Sequence, residues 1–194
     1  SRAEYRILLR QDNADARLTP KGYEIGLVSE EKYENLLKKN AAVESLISML
    51  RATSVKIGEI DSYLISIGEE PLTQGKKLYD IVLRSNVTIS DLSRVHKKLA
   101  KYITENDLKR EIVEQAEIQI KYRGYIERER YYAEKMHRLE NIAIPESFDF
   151  NVMQSLTIEA RQKLSRIRPT TLGQASRIPG VSPADINVSL VKFG

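Results

Sequence analysis

The sequence from residue 105 to residue 144 contains no proline and a single glycine, Gly124. Thr104 precedes Asp107 by three positions, a pair typical of the residues that cap the start of a helix. Apolar residues then recur at every fourth position: Leu108, Ile112, Ala116 and Ile120. We therefore predict one helix over about 105–142, roughly 55 Å long at a rise of about 1.5 Å per residue.

The middle of this predicted helix carries a second apolar face, formed by Ile118, Tyr122 and Tyr125. Two apolar faces predict that other elements cover this part of the helix on both sides. Gly124 lies at the same level, and a glycine in a helix interior costs about 1 kcal/mol relative to alanine. We expect the close approach of another backbone to offset this cost.

Capping residues and helix-spaced apolar residues predict further helices on either side of the long one. Before it, helices are expected at 30–53 after the cap Ser29, at 58–67, through Leu78, Ile81 and Val82, and at 89–101 after the capping pair Thr88 and Asp91. After it, three short helices are expected: from Thr157 to just before Pro169, at the capping pair Thr171 and Gln174, and from the cap Ser182. The predicted fold class is all-α, a helical bundle built around one very long helix and followed by a small C-terminal three-helix tip. The predicted boundaries are 1–28, 29–143 and 144–194.

The first 28 residues carry an arginine row of their own. Arg2, Arg6 and Arg10 recur every fourth position, as they would on one face of a helix. Thr19 and Pro20 resemble a cap followed by a first-turn proline, and Gly26 is expected to end the helix. The arginine row is either a solvated basic face or a face directed at phosphate groups.

Positive charge is concentrated locally although the whole chain is only slightly basic. The sequence has 31 basic and 27 acidic residues, a formal net charge of +4. Two stretches contain basic residues and no acid: 92–104, with Arg94, Lys97, Lys98 and Lys101, and 160–184, with Arg161, Lys163, Arg166, Arg168 and Arg177. In the second stretch we expect Lys163 and Arg166 to share a helix face, with Leu164 and Ile167 packing inward. Arg168 and Arg177 are expected at the ends of their helices, where a cation is favourable.

The composition excludes several classes of chemistry. The absence of cysteine excludes disulfides, thiolate metal sites and a cysteine nucleophile. The two histidines, His96 and His137, are too far apart for a compact metal motif, and we expect both to be exposed polar residues. The sequence contains no glycine-rich nucleotide fingerprint, phosphate loop or nucleophile elbow. The residues therefore indicate a binding or scaffolding module rather than an autonomous enzyme. With no apolar run long enough to span a bilayer and no leader at its start, the chain is expected in the cytoplasm.

The segment 178–183, Ile-Pro-Gly-Val-Ser-Pro, resembles a helix-hairpin-helix turn, which presents backbone N–H groups to a phosphate. That hairpin normally has a second glycine where Ser182 stands. A plain corner between two helices is the alternative.

Three blocks of sequence, in the same order, resemble the C-terminal part of the GidA/MnmG family. They are 1–19, with Ser-Arg-Ala-Glu-Tyr-Arg at its start, 117–126, with Glu-Ile-Gln-Ile-Lys-Tyr-Arg-Gly-Tyr-Ile, and 172–178, with Leu-Gly-Gln-Ala-Ser-Arg-Ile. The resemblance covers essentially the whole chain. The chain departs from the family pattern at Arg123, where a glutamate is usual, and at Pro179, where a small residue is common.

The resemblance implies a function for the whole protein and a part in it for this chain. Members of the family are FAD-dependent, homodimeric enzymes that modify the wobble uridine of tRNA together with the GTPase MnmE, using a methylene-folate and reduced nicotinamide. By resemblance, this chain is the helical C-terminal region that helps to bind tRNA and the GTPase. Residues 1–28 would join it to the flavin-binding domain, and the chain alone would hold no cofactor and be inactive.

We take ten residues as candidates for tRNA or partner binding: Arg2, Arg6, Arg10, Lys121, Tyr122, Tyr125, Lys163, Arg166, Arg168 and Arg177. The alternative is a protein–protein scaffold whose basic residues never contact tRNA. Salt dependence separates the two, because each phosphate contact lowers the affinity as salt is raised.

Overall fold

The computed structural model describes residues 5–193, and the fold over this range is all-α, as predicted. The α-helices are α1 Ala14–Glu24, α2 Glu30–Ala52, α3 Asp61–Ser66, α4 Leu78–Val82, α5 Ile89–Val95, α6 Lys97–Glu105, α7 Arg110–Glu140, α8 Ile158–Ile167, α9 Leu172–Ser176 and α10 Pro183–Phe193. Within the described range, no helix is both long and apolar enough to cross a membrane.

The chain divides into two compact units, one ending at Glu127 and the other starting at Arg128. The core of the first unit is built from α2 to α7 and includes Leu46, Leu50, Leu78, Leu92 and Ile120. The core of the second unit includes Phe150, Ala160, Leu164, Leu172 and Ile186. The predicted boundary between 143 and 144 stays a prediction.

The predicted helix starts are confirmed at five capping residues. In each case the side-chain oxygen of a serine or threonine accepts a backbone N–H group three residues later: Ser29, Thr88, Thr157, Thr171 and Ser182. These contacts satisfy N–H groups that have no partner within the helix. The short helices of the C-terminal tip therefore begin where the sequence predicts.

The structure contains a small two-stranded antiparallel sheet that the sequence analysis did not predict. Strand β1, Ser54–Val55, pairs antiparallel with β2, Lys76–Lys77. Strands of two residues are too short to show the alternation by which strands are recognised. The helix predicted over 58–67 is shorter in the structure, where α3 begins at Asp61 and ends at Ser66.

The prediction of one helix over 89–101 is wrong, because His96 divides it into α5 and α6. The Nδ1 atom of His96 accepts the backbone N–H of Leu99 at 3.2 Å and so caps α6. Its Nε2 atom lies 3.4 Å from Oε1 of Glu59. His96 is buried, with 3% of its surface exposed. The expectation of an exposed side chain is therefore also wrong. His137 is exposed, as expected.

The long helix is confirmed but begins five residues later than predicted. Thr104 does not cap it, because α6 continues to Glu105 and the hydroxyl of Thr104 donates to the carbonyl of Ala100 at 3.0 Å. Asp107 has a positive φ of 46° and breaks the chain between the two helices. Helix α7 has 31 residues, which corresponds to about 46 Å.

The expectation that both faces of α7 are covered is wrong. Ile112, Ala116 and Ile120 are buried, as predicted for the first face. Tyr122 and Tyr125 of the second face are exposed. Among residues 5–193, and apart from the helix's own backbone, no atom lies within 4 Å of the position that a Cβ would occupy on Gly124, so no other described backbone approaches it.

The predicted helical arginine row near the start of the chain is wrong where the structure describes it. Residues 5–8 form a turn in which the N–H groups of Leu8 and Leu9 donate to the carbonyl of Tyr5, and α1 begins only at Ala14. Arg2 lies outside the described residues. The predicted cap at Thr19 is also wrong, since Pro20 lies inside α1. Helix α1 ends just before Gly26, whose φ is 77°.

Candidate functional site

The middle of α7 presents two exposed tyrosines and a lysine. Successive helix residues are rotated by about 100°, so Tyr122 and Tyr125 lie about 60° apart on the helix surface, with Lys121 next to Tyr125. The two ring centroids are 6.3 Å apart and the rings are tilted by 51°. The Lys121 ammonium donates to the carbonyl of Ser85 at 3.2 Å and pairs with Glu117 at 3.2 Å.

This arrangement suits the stacking of flat ligands more than the binding of charge. About half of each tyrosine is exposed, 48% for Tyr122 and 56% for Tyr125. Exposed aromatic rings stack on nucleic-acid bases regardless of the base. Lys121 is held by its partners, so it orders the edge of this face rather than reaching toward a ligand.

The two described arginines of the row near the start of the chain, Arg6 and Arg10, have different surroundings. Arg10 makes a two-point ion pair with Asp12, with N–O distances of 2.9 and 3.1 Å, and donates to the carbonyl of Ile7 at 2.7 Å. The Arg10 guanidinium holds the pKa of Asp12 below its ordinary value. Arg10 therefore orders the turn before α1. Arg6 is exposed.

Three of the four basic candidates in the second unit hold that unit together. Lys163 pairs with Glu159 at 2.6 Å and also donates to the carbonyl of Pro179. Arg177 pairs with Glu140. These contacts fix the corner between α9 and α10 to α8, and the end of α9 to the last turn of α7.

Arg168 ends α8 in a way that differs in detail from the prediction. Its own backbone is left-handed, with φ 48°, and its N–H donates to the carbonyl of Leu164. The guanidinium reaches the carbonyl of Glu146 at 3.1 Å instead of covering its own helix end. Leu164 packs inward as predicted, but Ile167 is exposed, which contradicts the prediction.

Arg166 differs from the other basic candidates of the second unit in the partners of its charged group. It is exposed, and it makes no ion pair within 4.0 Å among the residues that the structure describes. It is thus the residue of this set best placed to meet an external anion.

The turn over 178–183 is a plain corner rather than a phosphate-binding hairpin. The N–H of Val181 donates to the carbonyl of Ile178 at 3.0 Å, and the N–H of Ser182 donates to the carboxylate of Asp185 at 2.9 Å. Both N–H groups are therefore taken by internal partners. A phosphate would have to displace them, so the hairpin interpretation is wrong.

A cationic cluster around Tyr79 was missed by the sequence analysis. The guanidinium carbon of Arg51, near the end of α2, lies 4.8 Å from the centroid of the Tyr79 ring. Arg123 of α7 lies beside the hydroxyl of the same tyrosine and pairs with Glu127 at 2.7 Å. Burial by itself raises the pKa of Tyr79, but Arg123 and Arg51 beside its hydroxyl outweigh burial, and its pKa is lowered. These residues lie on three elements far apart in the sequence, so no local spacing could have revealed the cluster.

Residues close to Tyr79 in the sequence line a depression of about 270 Å³. The lining residues are Ser54, Gln74, Gly75, Lys76, Lys77 and Asp80. They are polar, charged or glycine, and no aliphatic or aromatic residue is among them. Among the residues that the structure describes, no group of three histidine, aspartate or glutamate residues could hold a metal ion.

Two family models match consecutive parts of the chain. Residues 30–130 match the model described as the C-terminal helical domain of the tRNA modifying enzyme MnmG/GidA. Residues 132–193 match the model described as the C-terminal helical bundle of the same enzyme.

Individual relatives agree with the family models. The chain is 51% identical over 197 residues to the tRNA uridine 5-carboxymethylaminomethyl modification enzyme MnmG of Phocaeicola vulgatus, covering 100% of the chain and 31% of that enzyme. It is 46% identical to the enzyme of the same name from Flavobacterium psychrophilum, again over 100% of the chain and 31% of the relative. The structure of Aquifex aeolicus GidA in a second crystal form superposes with a TM-score of 0.63 at 36% identity, covering 100% of the chain and 29% of GidA. The chain thus spans about a third of the length of the proteins it matches.

Proposed function

Because the chain belongs to the MnmG/GidA family of tRNA modifying enzymes, we propose that it contacts tRNA and docks a protein partner within such an enzyme. The proposal extends to the whole protein, which would modify the wobble uridine of tRNA together with the GTPase MnmE. That protein would act as a homodimer in the cytoplasm, with FAD, reduced nicotinamide and a methylene-folate. We assign the flavin to a region outside the 194 residues, because the chain spans about a third of its relatives' length and matches models of their C-terminal helical regions.

The exposed pair Tyr122 and Tyr125 is the observation that best supports contact with tRNA. A tyrosine ring left half exposed in the middle of a helix contributes little to the core. Two such rings 6.3 Å apart can take up unstacked bases of an RNA loop. Within the tip, Arg166 would add a phosphate contact, while Lys163, Arg168 and Arg177 hold the tip in shape.

A titration with tRNA tests this proposal. The chain is titrated with unmodified tRNA at about 50 and about 200 mM salt, with and without the GTPase, and binding that weakens steeply with salt is expected. The double variant Tyr122→Ala/Tyr125→Ala should bind several-fold more weakly, because stacking is worth about 1–3 kcal/mol per base. The double variant Leu83→Ala/Val95→Ala, which removes exposed apolar side chains elsewhere in the same unit, is the control. Equal binding by the tyrosine variant and wild type would contradict the assigned surface.

A protein–protein scaffold remains the second candidate, and one observation favours it. Apolar side chains are exposed along α1 and the start of α2: Leu18, Ile25, Leu27 and Leu37. Several exposed apolar side chains within one stretch of the chain are more typical of protein interfaces than of RNA contacts. If tRNA fails to bind at low salt while the GTPase is still captured, the scaffold is the correct function.

A further inference from the structure

Two cations from different elements lie at the Tyr79 side chain, and a third, Lys77, lies on the strand just before it. Arg51 lies over the face of the Tyr79 ring at 4.8 Å, and Arg123 lies beside its hydroxyl. Lys77, two residues before Tyr79, donates to the carbonyl of Ala52 at 3.1 Å and to the hydroxyl of Ser54 at 2.8 Å. Since Ala52 follows Arg51 directly, the Lys77 ammonium lies next to the base of the Arg51 side chain.

Two of these cations are held in place by neutral groups. The Tyr79 ring holds the guanidinium of Arg51 through a cation–π contact. The Lys77 ammonium has three donors, of which Ala52 and Ser54 take two, so one remains for a ligand. Both charges are therefore ordered without being neutralised.

The charges in this area are not balanced by carboxylates. Arg123 is paired with Glu127, but Arg51, Lys76 and Lys77 make no ion pair within 4.0 Å among residues 5–193. Asp80 is the only acid among the side chains that line the depression. Arg51 and Lys77 are exposed, so their unneutralised charges are accessible to an external anion.

The residues that line the depression indicate which kind of ligand fits it. Serine, glutamine, glycine and lysine surround the depression, and no aromatic or aliphatic side chain is among them. The centre of a protein interface normally requires an apolar or aromatic anchor. A phosphate requires only ordered donors and positive charge, which Arg51 and Lys77 supply.

We propose that Arg51, Lys77 and the depression that Lys77 lines bind backbone phosphate groups of tRNA. The proposal rests on the function proposed above and adds a second contact surface to it. Helical periodicity places Arg123, which approaches this cluster, about 100° away from Tyr122. The phosphate site and the tyrosine face are therefore distinct surfaces of the same unit, and they can be removed separately.

A charge-matched pair of variants tests the site. Arg51→Gln/Lys77→Gln removes the two ordered cations, and Lys32→Gln/Lys38→Gln removes two exposed cations from the first half of α2. Each chain is titrated with unmodified tRNA over a range of salt concentrations, and circular dichroism confirms that it is folded. Loss of two phosphate contacts should lower the slope of log affinity against log salt by about 1.5 and weaken binding about tenfold at moderate salt. The control should retain the wild-type slope.

The possible outcomes separate this site from the function on which it rests. If the wild-type chain binds tRNA and the Arg51/Lys77 variant has the same slope and affinity, the phosphate site is wrong and the proposed function stands. If the wild-type chain does not bind tRNA at any salt concentration, both are wrong. If the variant keeps its tRNA affinity but loses capture of the GTPase, the cluster is a protein-binding surface and the proposal is overturned.

Discussion

The carboxylate of Asp185 accepts the backbone N–H of Thr157 at 2.8 Å, which ties the start of α10 to the start of α8. The same carboxylate accepts the N–H and the hydroxyl of Ser182, at 2.9 and 2.5 Å. Only 1% of Asp185 is exposed, so these hydrogen bonds are made away from water. One acidic residue thereby completes the start of two helices in the second unit.

Replacing Asp185 should destabilise the second unit. Asp185→Ala leaves the N–H groups of Thr157 and Ser182 without their acceptor, and hydrogen bonds to a charged group are worth about 1.5–3 kcal/mol each. We expect a loss of about 3 kcal/mol in the free energy of unfolding, measured by urea denaturation. Asp149→Ala, at an exposed carboxylate that accepts the N–H of Asn151, should cost about 1 kcal/mol or less. Equal losses for the two variants would contradict the role given to Asp185.

The contribution of Asp185 should depend on pH in a defined direction. Burial raises its pKa, but the hydrogen bonds from Ser182 and Thr157 outweigh burial, and its pKa lies below the ordinary 3.8. The stabilisation is therefore complete above that ordinary value and is lost as pH falls through the lowered pKa. Urea denaturation between about pH 6 and pH 2.5 should show a steeper loss of stability for wild type than for Asp185→Asn. Parallel curves would show that the carboxylate does not titrate in this way.

His96 should behave as a structural cap, and His137 supplies its control. His96→Ala removes the acceptor for the N–H of Leu99 and empties a buried position, so we expect a loss of about 2–3 kcal/mol. His96→Asn keeps a capping oxygen and should cost less. His137→Ala, at an exposed position, should change stability by no more than about 0.5 kcal/mol. Thermal unfolding of the three variants would decide, and a harmless His96→Ala would refute the cap.

Two glycines should respond to alanine in opposite directions. Gly124→Ala should stabilise the chain by about 0.5–1 kcal/mol, because the site lies in open space within a helix. Gly180 has a φ of 93°, and a Cβ there would overlap the Glu159 and Lys163 side chains. Gly180→Ala should therefore cost at least about 1 kcal/mol. A stabilising effect at Gly180, measured by thermal unfolding, would be inconsistent with this geometry.

Arg166 and Arg177 should separate binding from stability. Arg177→Ala loses a half-exposed ion pair with Glu140 and should lower the free energy of unfolding by about 0.5–1 kcal/mol. Arg166→Ala should leave stability unchanged within about 0.5 kcal/mol and weaken tRNA binding. The measurements are thermal unfolding and tRNA titration on both variants. Unchanged tRNA affinity for Arg166→Ala would remove that residue from the proposed interface.

Local features were predicted well and distant contacts were not. Ser29, Thr88 and Thr157 act on residues only three positions away, so their patterns are visible in the sequence. The contact of His96 with Glu59 joins α6 to the turn before α3, far away in the sequence. Family membership, predicted from three sequence blocks, is confirmed by the two family models.

In the candidate site, too, local patterns were visible in the sequence and contacts between distant residues were not. The sequence could show that Tyr122 and Tyr125 share a helix face, but that spacing is the same for a buried and an exposed pair. The basic run in the tip was visible as composition, whereas Glu140 and Pro179, the partners of Arg177 and Lys163, were not. The contact of Arg51 with Tyr79 had no local signal at all.

The middle of α7 has a consequence for how the chain exchanges its amide protons. No residue from 121 to 138 is buried, so Ile120 and Leu139 are the nearest α7 residues held in a core. Over those turns the helix is maintained by its backbone hydrogen bonds and by ion pairs such as that of Arg123 with Glu127. Opening them disrupts little core packing, because Met136 is the residue of this segment that packs against a core, and Gly124 lowers the cost further. Amide exchange in the centre of the longest helix is therefore governed by local fraying, and it is faster than exchange at the core residues on either side.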